Sequence, residues 1–288
     1  MAMAPPAAAG FKLEGTITGD AHGRMEKMAL TGAATLHLRD GSLRNPGKGI
    51  SAEGITGELV FPQLPNLVSA PKQMVQMAKA QIGAIALQHG EADLQVTSGE
   101  LVTVNAASVE AFGGRLSIEP FGFNPTKAEY AVTVLADGVQ IADLLALFPD
   151  SPVKAAGEVQ GRVPVKYDGT GLHFGQGWAE LKPGHPPLVL FNSPGLLTAR
   201  LSPKNPAYVT LQRIETGQTH LKVEGLHLDL HPAGAPADRS AQLRIMGRPD
   251  EPGTDLGALT LDININGPLE DLMNWGLQTE ISASAGGR

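Results

Sequence analysis

The side chains able to do acid–base, nucleophilic or metal chemistry are spread thinly along this chain. Its eight histidines stand at His22, His37, His89, His173, His185, His220, His227 and His231. A hydrolytic zinc site places two histidines one helical turn apart with a glutamate between them, and no pair here has that pattern. His227 and His231 are four positions apart, but they fall on or beyond a predicted strand, where that spacing does not close a site. Asp143 with Glu158, or Glu270 with Asp271, could form acid/base pairs. Such a pair needs an apolar cleft that keeps one carboxyl protonated, and nothing in the sequence gathers either pair into one. There is no G-x-S-x-G elbow, no phosphate loop ending in G-K-[ST], and no G-x-G-x-x-G between a strand and a helix. Arg115, Arg162 and Lys166 are the cations that a dicarboxylate- or carbohydrate-binding pocket would have to use. The sequence therefore predicts no catalytic residue, no metal ligand and no cofactor.

Composition narrows the class further. The 288 residues carry 35 glycines and 22 prolines, few aromatics, and a formal net charge of −7. That profile suits many strands joined by turns. The negative charge argues against nucleic acid, which demands a basic surface. There is no cysteine, so disulfides, thiolate metal sites and thiol nucleophiles are excluded. The longest apolar runs, Ile82 to Leu87 and Leu188 to Phe191, fall far short of the roughly 20 residues of a membrane-spanning helix. Residues 1–10, MAMAPPAAAG, lack the charged start and apolar core of a signal peptide and read as a disordered or vector-derived lead. Residues 281–288 read as a frayed tail.

The stretch that organises the rest is Val153 to Leu181. On its first strand Ala155, Gly157, Val159, Gly161, Val163, Val165 and Tyr167 share one face, while Lys154, Glu158, Gln160, Arg162 and Lys166 share the other. Period-two alternation of this length means a strand with one dry and one wet side. The turn Asp168-Gly169-Thr170-Gly171 closes a hairpin, because glycine supplies the positive backbone angle required. The return strand from Leu172 brings Phe174 and Trp178 to the same neighbourhood.

Similar alternation predicts strands at Phe11–Gly19, Ala29–Arg39 with a turn at Asp40-Gly41, and Gly54–Phe61. Further strands are predicted around Asp93–Val96, Leu101–Val104, Ser108–Ala111, Arg115–Ile118 and Tyr130–Leu135, the last ended by Asp137-Gly138. Later ones fall at Leu188–Phe191, Tyr208–Ile214, His220–Leu230, Gln242–Met246 and Ala258–Ile265. Pro71 is placed to open a helix running to Ile82. Met74, Met77, Ala78 and Ile82 would share one face of it, either packed on a sheet edge or serving as an adaptable lid over an apolar ligand. Short helices are also predicted at Ile141–Phe148 and after Gly267-Pro268. The strand–turn–helix order around Asp137 recurs around Asn266, which hints at units of 11–150 and 151–280 inside a single elongated β domain of 11–280. The predicted fold is mainly β: a long twisted antiparallel sheet bent into a trough or groove, with two or three short capping helices.

The Gly-rich strand G-x-V-x-G-R-V-P-V (Gly157 to Val165), the D-G-x-G turn, the W-A-E-L strand end and the Pro/Gly corner running into Phe191 resemble the C-terminal region of AsmA-like, YdbH-type envelope proteins. An older name for that region is a dicarboxylate transport domain. Phe112-Gly113-Gly114-Arg115-Leu116 and the segment from Asp137 to Phe148 also fit, so the resemblance is good from Val109 to Phe191 and looser elsewhere. It implies a non-enzymatic role in carrying phospholipids between the inner and outer bacterial membranes. It also implies a periplasmic location, an inner-membrane anchor outside this chain and a small outer-membrane lipoprotein partner. On this reading Val159, Val163, Val165, Tyr167, Leu172, Phe174 and Trp178 are candidates to line a groove for acyl chains. A closed structural β scaffold, or a small-ligand β domain, would show the same alternation.

Overall fold

Alternating strands whose apolar sides must all meet one environment organise this chain. The computed structural model describes residues 11–26, 29–98, 101–127, 129–147, 153–168, 172–184, 187–199, 201–231, 234, 239–250 and 258–266. The strands are β1 (Lys12–Glu26), β2 (Ala29–Asn45), β3 (Ile50–Leu64), β4 (Gln73–Ile82), β5 (Ile85–Ser98), β6 (Leu101–Ala111), β7 (Gly114–Ile118), β8 (Phe121–Phe123) and β9 (Tyr130–Gln140). After the short helix α1 (Ile141–Leu145) come β10 (Val153–Ala155), β11 (Glu158–Tyr167), β12 (Leu172–Phe174), β13 (Gly177–Leu181) and β14 (Leu188–Phe191). Helix α2 (Tyr208–Glu215) precedes β15 (Leu221–Leu230), β16 (Arg239–Pro249) and β17 (Leu259–Asn266).

All pairings among the described residues are antiparallel, and they join the 17 strands into one sheet. The chain meanders from β1 through β2, β3, β4, β5 and β6, then past β7 and β8 to β9, β11, β13, β15, β16 and β17. Several neighbours are one interrupted strand: β7 and β8 both lie along β6, and β13 and β14 both lie along β15. The sheet does not close into a barrel.

Many strands hold more residues than a flat ladder allows, and the excess is taken up as bulges. On β2, Leu38 pairs with Gly57 but Gly41 pairs with Ile55, leaving an extra residue at Asp40, whose φ is 51°. Gly54 (φ 66°) bulges β3, His89 (φ 50°) with Gly90 bulges β5, and Gly138 (φ 66°) bulges β9. The bulges are neighbours across the sheet. A Cβ on Gly15 would lie 2.8 Å from the Gly41 Cα, one on Gly54 2.7 Å from the Ala78 Cβ, and one on Gly114 2.5 Å from the Gly138 carbonyl carbon. A row of extra residues thus crosses the sheet from β1 to β9, and each bends its strand and sharpens the local twist.

The row explains why two predicted turns are wrong. Asp40-Gly41 and Asp137-Gly138 do not end their strands, which continue to Asn45 and Gln140. A positive backbone angle serves a bulge as well as a turn. Likewise Leu101–Val104 and Ser108–Ala111 are two halves of one strand, β6, divided by an extra residue opposite the step from Asp93 to Leu94.

Two element types are also corrected. The predicted helix from Pro71 to Ile82 is the strand β4, hydrogen-bonded to β3 on one side and β5 on the other. Its entry is held by Gln73, whose Oε1 accepts from the Val60 N–H at 2.7 Å and whose Nε2 donates to the Pro71 carbonyl at 2.9 Å. The methionines form no stripe: Met74 is paired with Asp93 and exposed, whereas Met77, paired with Gly90, points to the other face and is half-buried. The lid reading falls with the helix. Conversely, the predicted strand at Tyr208–Ile214 is α2, and the Asn205 side chain ahead of it accepts the Ala207 N–H at 2.9 Å. Ala207, Leu211 and Ile214 fall on one helical face, and tertiary burial of that face decides the outcome over the β-propensity of Tyr, Val, Thr and Ile. The expected helix at Ile141 is present as α1. The one after Gly267-Pro268, with the 1–10 lead and the 281–288 tail, lies outside the described residues.

The core is concentrated at one end. Val189, Phe191, Leu211, Ile214, Leu221, Val223 and Ile245 form the buried cluster, with Leu197, Leu201 and Ala207 packed over it. Within it Glu215 is only 2% exposed. Its Oε2 accepts the N–H groups of Leu197 (2.8 Å) and Thr198 (3.1 Å), and its Oε1 accepts the Thr198 hydroxyl. Burial pushes the Glu215 carboxyl up, but these bonds and one from the Gly195 N–H outweigh it and hold the pKa below the usual 4.5.

Two predictions follow from bulge and core. Gly54→Val should lower the urea midpoint, with a loss of about 1–3 kcal/mol from forcing a β-branched residue into a positive φ, while Gly184→Ala, which meets nothing within 4 Å, should leave it unchanged. Because the folded-state pKa of Glu215 is depressed, its stabilisation is complete above the ordinary carboxylate value and is lost as pH falls through the depressed one. Wild type should therefore melt well above Glu215→Gln at pH 7, and the gap should shrink as the pH is taken below 4.5.

Candidate functional site

Residues directly opposite on paired strands share a face, so the register assigns every strand an apolar and a polar side. On β11, Val159, Gly161, Val163, Val165 and Tyr167 face the same way as Val139, Ala136, Val134, Val132 and Tyr130 of β9. Leu116 and Ile118 of β7 pair with Ala136 and Val134 and extend that face. Through β6 it reaches Leu94 and Val96 of β5, then Val75 of β4, Leu59 and Phe61 of β3, Leu36 and Leu38 of β2, and Ile17 of β1. In the other direction it runs through Ala179 and Leu181 to Leu228, Leu226 and Ile245.

Each bulge keeps this face intact. Apolar positions are even-numbered at Leu36 and Leu38 but odd at Leu43, and even at Val132 and Val134 but odd at Val139. One extra residue reverses which side the next position faces, so the change of parity in sequence is what keeps the apolar side continuous in space.

The predicted groove residues separate on this basis. Val159 is buried at 7% exposure, and Val163 and Val165 are half-buried. The Tyr167 ring stacks on Tyr130 with centroids 5.3 Å apart. Burial, and then the neighbouring Tyr167, push the Tyr130 hydroxyl above its usual 10.0. Phe174 is paired with Val165 and lies on the same side, and the Leu172 backbone pairs with Tyr167. Trp178 does not join them. The register steps from Val165↔Phe174 to Arg162↔Trp178, one more residue on the return strand than on β11. That bulge, near Gly175, whose N–H donates to the Pro164 carbonyl, turns Trp178 to the polar face beside Arg162 with 37% exposure.

No described helix covers the middle of the apolar face: α1 meets β9 and β10, and α2 meets β14. Exposure falls from one end to the other. Leu13, Ile17 and Met25 on β1 are 60%, 64% and 74% exposed, whereas Leu221 and Val223 on β15 are at 0%. Apolar side chains in such numbers are not left in water without a partner.

The opposite face is a mosaic of charge pairs. Glu53 holds Lys79 at 2.9 Å and Arg44 at 3.0 Å, His89 meets Glu110 at 2.7 Å, and Arg244 meets Asp262 at 2.7 Å. Arg162 grips Glu119 through two nitrogens at 2.9 and 3.1 Å, which raises the guanidinium pKa and lowers that of the carboxyl. Arg115 hydrogen-bonds Ser108 at 3.0 Å, and Lys166 borders a small cleft with Pro164 and Gly175. The three candidate cations thus stand apart rather than converging on one pocket.

A larger cleft of about 810 Å³ does bring Asp143 and Glu158 to one place, with Glu110, Arg115 and Asp137. Three of its carboxylates are engaged: Lys182 donates to Asp137 at 2.7 Å, Gln140 to Glu158 at 3.3 Å, and His89 meets Glu110 at 2.7 Å. Among the described residues every carboxyl with a displaced pKa is displaced downward, Glu110 first by its hydrogen bond to His89. None is the raised carboxyl that a general acid at neutral pH requires. Among the described residues no group of three or more His, Cys, Asp or Glu is placed to hold a metal.

The described strands thus form an open antiparallel sheet with one continuous apolar face and one ion-paired face. The chain matches the YdbH-like family, described as "Intermembrane phospholipid transport protein YdbH", over residues 2–179. It belongs to that family. The match starts well before Val109 and ends before Phe191, so the shared pattern runs through the N-terminal strands rather than centring on the 153–181 hairpin. No curated protein and no solved structure shows significant similarity to the chain. Membership assigns a lipid-transport role in general, and the family is one of transporters rather than enzymes. No described helix is long and apolar enough to cross a membrane.

The placement of Trp178 is directly testable. In a Trp275→Phe background its emission should be that of a water-exposed indole and readily quenched by acrylamide; a blue-shifted, quencher-resistant emission would put it on the apolar side instead.

Proposed function

We propose that the sheet is bent into a trough whose apolar face lines the acyl chains of a phospholipid in transit between the two membranes. The observation that carries this reading is the unbroken apolar face from β1 to β17, kept in phase by bulges and uncovered over most of its length. The row of bulges supports the bend, since a bulge bends its strand and increases the local twist. Burial of an acyl chain contributes about 0.8 kcal/mol per CH₂ group, so a chain is held with no polar contact. The candidate lining residues are Val159, Val163, Val165, Tyr167, Leu172 and Phe174, with their neighbours on β9. Trp178 is not among them, because it stands on the other face.

Family membership extends the proposal to context. The segment works in the periplasm as the soluble part of a protein anchored in the inner membrane by a segment outside this chain. A small outer-membrane lipoprotein adds a strand at an open edge of the sheet, the recognition mode suited to unpaired backbone groups.

Native mass spectrometry of protein purified from envelope-expressing cells, with lipid extraction alongside, tests the reading. Phospholipid should co-purify with wild type, and Val163→Asp should retain the wild-type circular dichroism while losing at least nine-tenths of the lipid. A clean apo mass from gently purified wild type, or a Val163→Asp chain that fails to fold, would indicate a closed scaffold with this face as its core.

A further inference from the structure

The β14–β15 connection breaks the rule that governs the rest of the chain. These strands are antiparallel neighbours, with Leu188 opposite Lys222 and Val189 opposite Leu221. About two to five residues close such a pair, yet the chain spends residues 192–220 on it. The excess is folded over the apolar side. Leu197, Leu201, Ala207, Leu211 and Ile214 press on Val189, Phe191, Leu221, Val223 and Ile245, which the register places on the same face as Val159 and Val163.

The cover is braced against itself near both of its ends. The Ser193 N–H donates to the Glu215 carbonyl at 2.8 Å, and the Glu215 carboxylate gathers the N–H groups of Leu197 and Thr198 from the incoming arm. On the outgoing arm Gln218 and Thr219 donate their N–H groups to the Arg213 carbonyl at 2.8 and 3.1 Å. Gly217 (φ 74°) lets the chain turn against the Phe191 carbonyl, where a Cβ would come within 2.9 Å. A buried carboxylate with several donors is costly to pull out of place, since its donors and its own charge would be left unpaired.

We infer that residues 192–220 form a fixed end-stop on the apolar face, latched by Glu215. The inference rests on the reading of that face as an acyl-chain path. The stop divides the face into an open reach, β1 to β12, where most large apolar side chains stay exposed or half-buried although Phe61, Val104, Val139 and Val159 are buried at 3–9%, and a sealed reach under α2, where Phe191, Leu221 and Val223 are at 0–1%. Acyl chains occupy the open reach only. A lipid travelling toward the C-terminal strands must therefore leave the face sideways before β14 rather than run off its end.

The test uses full-length protein incubated with phosphatidylethanolamine vesicles doped with a diazirine-bearing acyl chain, irradiated, and mapped by peptide mass spectrometry. In wild type, adducts on β3 to β12 should exceed those on residues 188–191, 221–226 and 243–246 by at least tenfold. In Glu215→Ala, and in the milder Thr198→Val, that ratio should fall toward one, and amide exchange over 193–219 should speed up at least tenfold while β5 and β6 stay protected. Wild-type adducts on the sealed reach at yields equal to the open reach would overturn the stop and leave the lipid path standing. An absence of adducts everywhere would overturn the lipid path itself and the stop's role with it. Unchanged exchange in both variants would show that Glu215 is not the latch.

Discussion

Everything in this molecule depends on keeping apolar side chains on one side of a sheet whose strands are repeatedly bulged. A bulge reverses the side faced by every later residue of its strand. The chain therefore has to change parity at each one, as it does between Leu38 and Leu43, between Val104 and Val109, and between Val134 and Val139. The bulges on β2, β3, β5 and β9 lie beside one another across the sheet instead of being scattered along it.

The two faces then take different physical roles. The polar side is laced with pairs such as Arg44–Glu53–Lys79 and Arg162–Glu119, all substantially exposed. Exposed pairs contribute about 0–1 kcal/mol each, so their main effect is to make that face unambiguously the wet one. The apolar side is different: no described helix covers its middle, and Leu13, Ile17 and Met25 at one end are 60–74% exposed. Stability is left to the end where α2 supplies the missing layer, and the molecule's fully buried large residues, Phe191, Ile214, Leu221 and Val223, are gathered there. A one-layer sheet with an uncovered dry face has to obtain its fold stability somewhere other than along the working surface, and the Glu215 cluster is that place.

Much of this was legible in the residues. The alternation from Ala155 to Tyr167 named the dry side of β11, and strands were predicted where β9, β15 and β17 lie, because a period of two is a local property that tertiary contacts need not supply. The absence of catalytic spacing, the net negative charge and the family likeness pointed to a lipid-handling β protein, and family membership is now established. What defeated the reading were signals with two meanings. Asp-Gly marks positive φ without saying whether the chain turns back or bulges on, so β2 and β9 were cut short. Met74 and Met77 have helical spacing, yet on the strand β4 residues three apart face opposite sides.

By itself, then, the sequence determined the strand-rich class, the wet and dry sides of the Ala155–Tyr167 strand, and positions such as Asp40-Gly41 and Asp137-Gly138 where the backbone needs positive φ, because each is set by a residue and its near neighbours. Only the tertiary structure decided that these strands form one open sheet with a single apolar face, that Trp178 belongs to the other face, and that Tyr208 to Glu215 is a helix sealing the end. Those outcomes turn on register and on burial by residues far away in sequence: one extra residue at Gly175 moves Trp178 across the sheet, and the cluster of Phe191, Leu221 and Ile245 draws Leu211 and Ile214 into helical spacing.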